Sequence, residues 1–229
     1  MEPKVQVAIG RSFLSRLPEA ALAQLLEGSS VETVPAGTTT YRAGSEPRVS
    51  LIVSGLFRTF LVGPDGRQVT IRYAREGDVF GVATLFGGPA PLHGQALTDA
   101  ERLRIDRDRL IELAHADTAV ALALAEELTV TAHALWQEIA AAAFATVPQR
   151  VARHLLEIAA RDQDTDSGTL VAQVSQQELA DLAGSVREVV ARALRELRDN
   201  AIVSVNRSGI TVLDPTALAA RAWPRDVGH

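Results

Sequence analysis

Arginines and serine–glutamate pairs are concentrated near the C-terminus, in a pattern that suits an anionic partner. The arginines of one short segment are Arg187, Arg192, Arg195 and Arg198. Guanidinium groups donate paired hydrogen bonds to phosphate oxygens and to guanine. Ser175-Gln-Gln-Glu178 and Ser185-Val-Arg-Glu188 share the S-x-x-E form, in which the serine caps the first turn of a helix and the glutamate accepts the serine N–H. Each pair therefore predicts a helix start.

The two predicted helices are separated by a short turn. The first runs from Gln176 to about Leu182, Ala183-Gly184 turns the chain, and the second runs from Val186 to about Asp199. The apolar residues of the second helix share one side: Val186, Val189, Val190, Ala193, Leu194 and Leu197. The opposite side carries Arg187, Glu188, Arg192 and Arg195. Because the first turns of a recognition helix meet the base edges in the major groove, this pattern predicts a helix-turn-helix that binds double-stranded DNA.

The residues after Asn200 predict a β-wing. Ile202–Val205 and Ile210–Leu213 are typical of strands, and Asn206–Gly209 between them is typical of a turn. We predict that Arg207, in this turn, contacts the DNA backbone.

Three stretches of this region resemble one family. They are Gln177-Glu-Leu-Ala, Gly184-Ser-Val-Arg-Glu-Val-Val-Ala-Arg192, and Leu194 with Leu197. They resemble the DNA-binding domain of the CRP/FNR family, the cyclic-AMP receptor protein and its relatives, and the resemblance covers nearly the whole chain. It implies a homodimeric transcription regulator that reads a palindrome of TGTGA-like half-sites through Arg187, Glu188 and Arg192. Chemically, arginine donates to guanine O6 and N7, and glutamate accepts from cytosine N4.

DNA backbone contacts are predicted at the two helix starts. Ser175, Gln176 and Gln177 resemble the backbone-contacting residues of the family, and free amides at a helix N-terminus favour a phosphate. Ser185 is predicted to contact the backbone at the second helix start.

Two alternatives stay open for the charged residues. In the first, Glu188 is only the capping-box partner of Ser185 and reads no base. In the second, Arg195 and Arg198 do not touch bases but stay solvated or pair with Glu196 and Asp199.

Composition limits the classes of function. At 229 residues, with 47% hydrophobic content, the chain suits two modest domains. The net charge is −5, and residues 146–229 hold ten arginines against eleven acidic residues, so DNA affinity must come from a local patch. The absence of cysteine excludes disulfides, thiol catalysis and cysteine-ligated zinc or iron–sulfur clusters.

Neither secretion nor a membrane location is predicted. Met1-Glu-Pro-Lys-Val lacks a basic region followed by an apolar run. The longest apolar run, Ile139–Val147, is far shorter than the roughly 20 residues that span a bilayer. We expect a cytoplasmic protein.

Residues 31–105 have the composition of a β-domain. Glycines recur at short intervals, and Pro64-Asp-Gly66 predicts a hairpin turn after the run Leu51–Val62. In the next run Val69, Ile71 and Tyr73 alternate with polar residues, which predicts that these three side chains are buried. Many short strands with glycine-rich turns indicate a sandwich or jelly roll. The resemblance implies the jelly roll that binds cyclic nucleotides.

Asp106 to Ala143 predicts a long helix. One stripe recurs at spacings of three and four: Leu124, Leu128, Thr131, Leu135, Ile139 and Ala142. Such a stripe packs as a coiled-coil seam or lies on its own domain. The resemblance implies that it is the dimer interface, and a dimer presents two recognition helices to a palindrome.

The predicted fold class is therefore α+β. An N-terminal jelly-roll sensor domain with the dimerisation helix (about 107–145) occupies residues 1–145, and a winged helix-turn-helix domain occupies residues 146–229. Proline disfavours α geometry in the residue before it, so Thr146-Val-Pro148 is the predicted hinge. Asp162–Gly168 is predicted to be an acidic exposed loop.

The predicted effector pocket lacks the polar residues of cyclic-nucleotide binders. Gly77-Asp-Val-Phe-Gly81 and Leu85-Phe86 match the frame of the family's phosphate-binding cassette. The family's ribose-binding glutamate is replaced by Val82, its Arg-Ser pair by Leu92-His93, and the Thr-Ser pair of its long helix by Leu135-Trp136. A desolvated cyclic phosphate needs a cation and several donors. We therefore predict no cofactor, and no control by cyclic AMP in the usual way.

What replaces the nucleotide stays open. Arg58, Arg72, Arg75 and His93 either line another anion site or are solvated strand residues. Haem ligation by a histidine is an alternative, although the histidines show no paired metal-binding spacing. Trp136 is predicted to fill the former nucleotide cavity.

Two other functions are alternatives to DNA recognition. A metal-dependent jelly-roll enzyme needs clustered histidines, but residues 31–105 contain only His93, and no G-x-S-x-G or phosphate-loop motif occurs. A ligand-binding module could use its helix-turn-helix for protein contacts. No motif identifies a surface for RNA polymerase, which a transcription activator requires as a partner.

Overall fold

The computed structural model describes residues 2–46, 48–64, 66, 68–161, 163, 169–206 and 209–222, without the side chains of residues 137, 138 and 140–143. Within these residues the chain forms a β-domain flanked by short helices, one long helix, and a winged helix-turn-helix. The predicted α+β architecture is confirmed. Arg207 and all of the predicted acidic loop except Gln163 lie outside the described residues.

Within the described part of residues 1–105, three helical segments precede eight strands. The helical segments are α1 (Pro3–Arg11), a 3-10 helix (Phe13–Arg16) and α2 (Glu19–Leu26). The strands are β1 (Val31–Val34), β2 (Thr39–Tyr41), β3 (Val49–Ser54), β4 (Phe57–Val62), β5 (Gln68–Ala74), β6 (Val79–Phe80), β7 (His93–Ala96) and β8 (Ala100–Ile105). A second 3-10 helix (Val82–Thr84) follows β6. The β-rich character predicted for residues 31–105 is thus confirmed.

The eight described strands β1–β8 form two antiparallel sheets, as a jelly roll requires. Their orders are β1-β8-β3-β6 and β2-β7-β4-β5. Gly55 divides the predicted run Leu51–Val62 into β3 and β4. Its φ is 88°, and a Cβ there would lie 2.5 Å from the Cβ of Ala100. Only glycine therefore fits this turn between the two sheets.

The predicted orientation of β5 is wrong in its first half. Val69 is 45% exposed, whereas Thr70 is buried. The register between β4 and β5 shifts between Thr59 and Phe60, which leaves Ile71 as an extra residue. Such a bulge changes which face each following side chain points to, and the alternation of residue types does not reveal it.

The remaining elements belong to the long helical segment and the C-terminal half. They are α3 (Arg107–Ala116), α4 (Thr118–Phe144), α5 (Val147–Arg161), β9 (Leu170–Ala172), α6 (Gln176–Leu182), α7 (Arg187–Asp199), β10 (Val203–Asn206), β11 (Gly209–Val212) and α8 (Pro215–Ala222). The single helix predicted for residues 107–145 is wrong, because the chain breaks at Asp117. The Asp117 carboxylate accepts the Ala119 N–H at 2.8 Å and so caps α4.

The two halves of α4 have different surroundings. Val120, Ala123 and Leu124 are buried in the N-terminal core, and Leu128 packs at its edge. Arg16 lies 3.5 Å from Glu126 and 3.4 Å from Glu127. The first half of the predicted seam therefore packs on its own domain. Leu122 in the first half is exposed, and so are the large apolar side chains of the second half: Val130, Leu135, Trp136, Ile139 and Phe144.

One segment of α4 meets a composition test for membrane helices. Thr118–Trp136 is long and apolar enough to cross a bilayer, with a mean hydropathy of 1.2, and 17% of it is buried within the protein. Length and composition alone give this result, and the segment contains Glu126 and Glu127.

The C-terminal half has its own core, which also touches the β-domain. One face of α5 packs against α6, α7, α8 and β9. Leu56 and Leu97 of the β-domain join this cluster, and the Gln163 side-chain amide donates to the Leu97 carbonyl at 2.7 Å. The two halves of the chain are therefore in direct contact.

Helix α7 ends in a Schellman motif with an unusual residue. The Ile202 N–H donates to the Leu197 carbonyl and the Ala201 N–H donates to the Arg198 carbonyl, both at 2.9 Å. Ala201 has a φ of 55°, the only positive value among described residues other than glycine. This position normally carries glycine, because a Cβ strains the left-handed conformation.

Replacing Ala201 with glycine is expected to raise the free energy of unfolding by about 0.5–1 kcal/mol, because the strain at this position disappears. Urea unfolding followed by circular dichroism measures the change. The matched control is Ala220→Gly in α8, an exposed helical position, where glycine should cost about 1 kcal/mol. Equal destabilisation by both substitutions would contradict the strain at Ala201.

Candidate nucleic-acid interface

The first of the two serine–glutamate pairs forms the predicted capping box. The Glu178 N–H donates to Ser175 Oγ at 3.2 Å, and the Ser175 N–H donates to Glu178 Oε2 at 2.8 Å. The hydrogen bond from the Ser175 backbone lowers the pKa of Glu178 below its ordinary value. The predicted helix Gln176–Leu182 is confirmed residue for residue.

The capping box predicted at Ser185 is wrong. Helix α7 begins at Arg187 with Val186 at the N-cap, and no side chain caps it within the described part of the chain. The reason lies at the end of α6, where Gly184 has a φ of 57° and the Ser185 N–H donates to the Ala180 carbonyl at 2.9 Å. In a capping box, the Glu188 carboxylate would have accepted a hydrogen bond from that same N–H. Glu188 is thereby free of the capping role and exposed.

Helix α7 has one buried and one charged face. Val190, Ala193, Leu194 and Leu197 are buried in the C-terminal core. The exposed face carries Arg187, Glu188, Arg192 and Arg195. Val186 was predicted on the buried side but is 58% exposed, because it precedes the helix and does not share its periodicity.

A groove of about 670 Å³ runs beside the start of α7. Its lining includes Ser175, Gln176, Gln177 and Arg187 on the helix-turn-helix side and Val205, Asn206, Gly209 and Ile210 on the wing. The structure thus brings three of the residues predicted for backbone contact together with Arg187, one predicted base reader. The free amides of the α6 N-terminus face an anion favourably.

The groove also contains residues that the sequence analysis missed. Asn206 and Gln173 line it, and β9, which leads into Gln173, pairs with β11 as a third strand of the wing. Because β9 has only three residues, no pattern in the sequence indicated this strand. The two strands of the wing agree with the predicted strands within one residue at each end.

The other candidate residues of this region occupy more ordinary positions. Ser185 is half-buried in the turn. Arg198 pairs with Asp199 at 3.2 Å, as one of the alternatives predicted. Arg195 lies beside Gln176, Arg198 and Val205 in a second, smaller groove.

The predicted effector pocket is apolar where nucleotide binders are polar. Gly81 has a φ of 91°, and the Val82 side chain after it is buried in the N-terminal core with Leu85 and Leu124. Leu92 is half-buried. His93 stacks on Phe60 with the ring centroids 5.2 Å apart.

The anion site considered for Arg58, Arg72, Arg75 and His93 is not formed by the described structure. Arg58 pairs in register with Tyr73, and Arg72 with Thr59, so the two arginines lie on opposite faces of the sheet. Arg72 Nη2 is 3.1 Å from Asp78 Oδ1, and the Arg75 N–H donates to the same carboxylate at 2.8 Å.

Arg58 is buried rather than solvated, with 1% of its surface exposed. Its Nε donates to Gln95 Oε1 at 2.8 Å, and its Nη2 donates to Gln68 Oε1 at 2.6 Å. The guanidinium also lies 4.3 Å from the centroid of Phe60. Burial lowers its pKa to about 10, while Tyr73 and Glu157 favour the charged form. Glu157 belongs to α5, so this cluster lies at the contact between the two halves of the chain.

Trp136 does not fill a nucleotide cavity. It is 64% exposed and lies against His133, with the ring centroids 5.1 Å apart. Leu135 is also exposed. Among the described residues, no three histidine, aspartate or glutamate side chains converge on a metal-binding position.

Comparisons with known proteins agree with this geometry. Residues 31–117 match the family model of the cyclic nucleotide-binding domain, and residues 149–221 match that of the Crp-like helix-turn-helix domain. The chain is 31% identical to the transcriptional regulator LdrP of Thermus thermophilus over 195 residues, covering 80% of this chain and 92% of the relative. It is 28% identical to a CRP-like cAMP-activated global transcriptional regulator of Mycobacterium tuberculosis over 208 residues, covering 89% and 92%.

A solved structure has the same fold. FixK2 from Bradyrhizobium japonicum matches 83% of this chain and 95% of its own length, with a TM-score of 0.53 and 24% identity.

Replacing Ser175 with alanine is expected to lower the free energy of unfolding by about 1 kcal/mol, because α6 loses its cap. Replacing Ser185 should change it by less than about 0.5 kcal/mol, because its hydroxyl caps no helix. Urea unfolding at pH 7 compares the two variants. Equal losses would contradict the capping assignment.

The capping box also makes stability depend on pH. Since the pKa of Glu178 is lowered, the contribution of its carboxylate to the free energy of unfolding is present above the ordinary carboxyl pKa. That contribution is lost as the pH falls through the lowered pKa.

Proposed function

This chain belongs to the CRP/FNR family of transcription regulators, and we propose that it acts as a homodimer that reads a palindromic TGTGA-like site in double-stranded DNA. The observation that carries this proposal is the charged face of α7. Arg187, Glu188 and Arg192 are exposed together on the opening turns of a helix whose other face is buried. A helix held in this way can enter the major groove without losing its own packing.

The three exposed residues provide the chemistry for reading a G·C pair. Arg187 and Arg192 supply paired donors for guanine, and Glu188 supplies an acceptor for cytosine N4. The unformed capping box at Ser185 supports the role of Glu188, since its carboxylate is not engaged by a backbone N–H of the turn.

Backbone contacts supply position rather than sequence selectivity. We assign Ser175, Gln176 and Gln177 to one phosphate, because they line the groove at the N-terminus of α6. Ser185 is assigned to a neighbouring phosphate from its place in the turn, and Arg207 is assigned to another from the sequence pattern alone.

The exposed half of α4 supports dimerisation. Trp136, Ile139 and Phe144 expose large apolar side chains, whose contact with water is unfavourable. Leu135 and Ile139, both exposed and four residues apart, have the spacing of a coiled-coil seam that a second copy of α4 would cover. Such a cover accounts for the apolar composition of Thr118–Trp136 without a membrane. A cytoplasmic location follows from the DNA partner. RNA polymerase is a further partner if the regulator activates transcription.

The two functions divide the chain near the break between α4 and α5. We propose that residues 1–145 form the sensor and dimerisation domain and that residues 146–229 form the DNA-binding domain. The gap between Phe144 and Val147 falls at this division.

Cyclic AMP does not fit the residues of this sensor domain. The relatives named cAMP-activated regulators, from Mycobacterium tuberculosis and Pseudomonas aeruginosa, take their names from that effector. Here Val82 is buried in the core, His93 is stacked on Phe60, and Arg72 is paired with Asp78. A cyclic phosphate would find neither the glutamate nor the free arginine that the family's pocket provides. We propose control by another effector, by a partner, or by protein concentration.

Replacing Arg187 with alanine is expected to weaken binding to a TGTGA-N6-TCACA duplex by about 1–3 kcal/mol per half-site and to relax selectivity at one base pair, because one paired donor set is lost. Gel shifts on duplexes with single-base changes, at fixed salt and with excess competitor DNA, measure both effects. Gln176→Ala is the matched control and should weaken all sequences alike. An unchanged base preference in Arg187→Ala would contradict the groove assignment.

Replacing Ile139 with glutamate is expected to convert the dimer to monomer, because a charge enters the proposed apolar seam. Sedimentation velocity measures the oligomeric state, and a gel shift should show loss of binding to the palindrome. Val7→Glu is the control, since Val7 is an exposed apolar residue on α1, far along the chain from α4. A monomeric wild-type protein, or a dimeric Ile139→Glu variant, would contradict the proposed interface.

A further inference from the structure

One arginine at the start of α5 joins two separate parts of the chain. Arg150 Nε donates to the Ala183 carbonyl at 2.7 Å, and Arg150 Nη1 donates to the Ala145 carbonyl at 2.5 Å. Ala183 is the C-cap residue of α6, in the turn of the helix-turn-helix. Ala145 directly follows Phe144, the last residue of α4. The guanidinium therefore links the end of the long helix to the DNA-binding turn.

Both acceptors lie at helix C-termini, where carbonyl groups lack partners within the helix. These ends carry a partial negative charge, so a cation there is stabilising. Ala183 and Ala145 are both buried, which strengthens charge-assisted hydrogen bonds relative to those in water. A planar guanidinium donates in two fixed directions at once, whereas an ammonium on a flexible stem does not hold that geometry.

Among the described residues, other side-chain hydrogen bonds beside the hinge are local to the start of α5. Thr146 donates its N–H and its hydroxyl to Gln149 Oε1, at 2.8 and 2.9 Å. These bonds fix the first turn of α5 but do not reach the helix-turn-helix. Apolar packing holds the helix-turn-helix against α5. The hydrogen bonds of Arg150 then connect these packed helices to the end of α4.

We propose that Arg150 is a positioning residue that fixes the helix-turn-helix relative to α4, and thereby sets the spacing between half-sites that the dimer accepts. The inference rests on the proposed function, since spacing has meaning only for a dimer on a palindrome. In such a dimer the two recognition helices must lie one helical turn of DNA apart. Loss of the tie lets the two DNA-binding domains sample several separations, so one spacer is no longer preferred.

The first test uses Arg150→Met in the full-length protein and a series of duplexes with spacers of five to eight base pairs between TGTGA and TCACA. Wild type should prefer one spacer, and in the variant that preference should fall by about tenfold, because the effective concentration of the second domain no longer depends sharply on geometry. Base preference within each half-site should stay unchanged. Arg150→Lys should recover part of the spacer preference, since charge remains but one fixed donor is lost.

The control and the contrary results are distinct. Arg104→Met removes an equally charged, exposed arginine paired with Glu32 in the β-domain and should keep the wild-type spacer profile. An unchanged profile in Arg150→Met overturns the inference. An equal loss of affinity on every spacer assigns Arg150 a purely structural role and also overturns it. Failure of the wild type to prefer any palindrome refutes the proposed function instead.

A second readout does not depend on DNA. Because the chain contains no cysteine, a single Asp199→Cys substitution places one spin label on each α7 of the dimer. Double electron–electron resonance should give a narrow distance distribution with Arg150 present and a broader one in Arg150→Met. Equal widths overturn the inference even if the Met variant binds DNA poorly.

Discussion

Burial of one face of α5 is the interaction on which the rest of the molecule depends. The residues of that face are Val151, Ala152, Leu155, Leu156, Ala159 and Ala160. Each fully buried leucine contributes on the order of 1.5–3 kcal/mol relative to exposure, so this face holds α6, α7 and α8 as one body. The same helix carries Arg150 at one end, and the core that it belongs to includes Leu56 and Leu97 of the β-domain. The charged face of α7 points outward because α5 occupies its other face.

Sequence reasoning succeeded where a local rule had no competitor. The capping box at Ser175, the turn at Gly184 and the apolar stripe of α7 follow from hydrogen-bond and periodicity rules that concern a few neighbouring residues. Ser185 shows how such a rule fails, because its N–H is claimed both by the end of α6 and by a capping box. The break at Asp117 was visible in principle, since aspartate is a favoured N-cap, but the apolar periodicity on both sides concealed it.

Features set by distant contacts had no signal in the sequence. The reversal of burial along β5 depends on its register with β4, and the charge of buried Arg58 is favoured by Glu157 from a helix of the other domain. Val82 is a further case. The sequence shows an apolar residue at this position, whereas its place in the core under α4 required the fold. Trp136 was expected inside a cavity and is exposed instead, because α4 presents that side away from the β-domain.

The contact between the two halves of the chain combines apolar and polar groups, and this mixture decides how firmly it holds. Leu56 and Leu97 contribute apolar burial, whereas Arg58 has given up its hydration and relies on two glutamines and the charge of Glu157. Separation of the domains would expose the leucines at a cost but return water to the arginine. The net free energy of such a contact is smaller than its buried area suggests. Because the domain contact is weak, the hydrogen bonds of Arg150 beside the hinge have a larger share in positioning the helix-turn-helix.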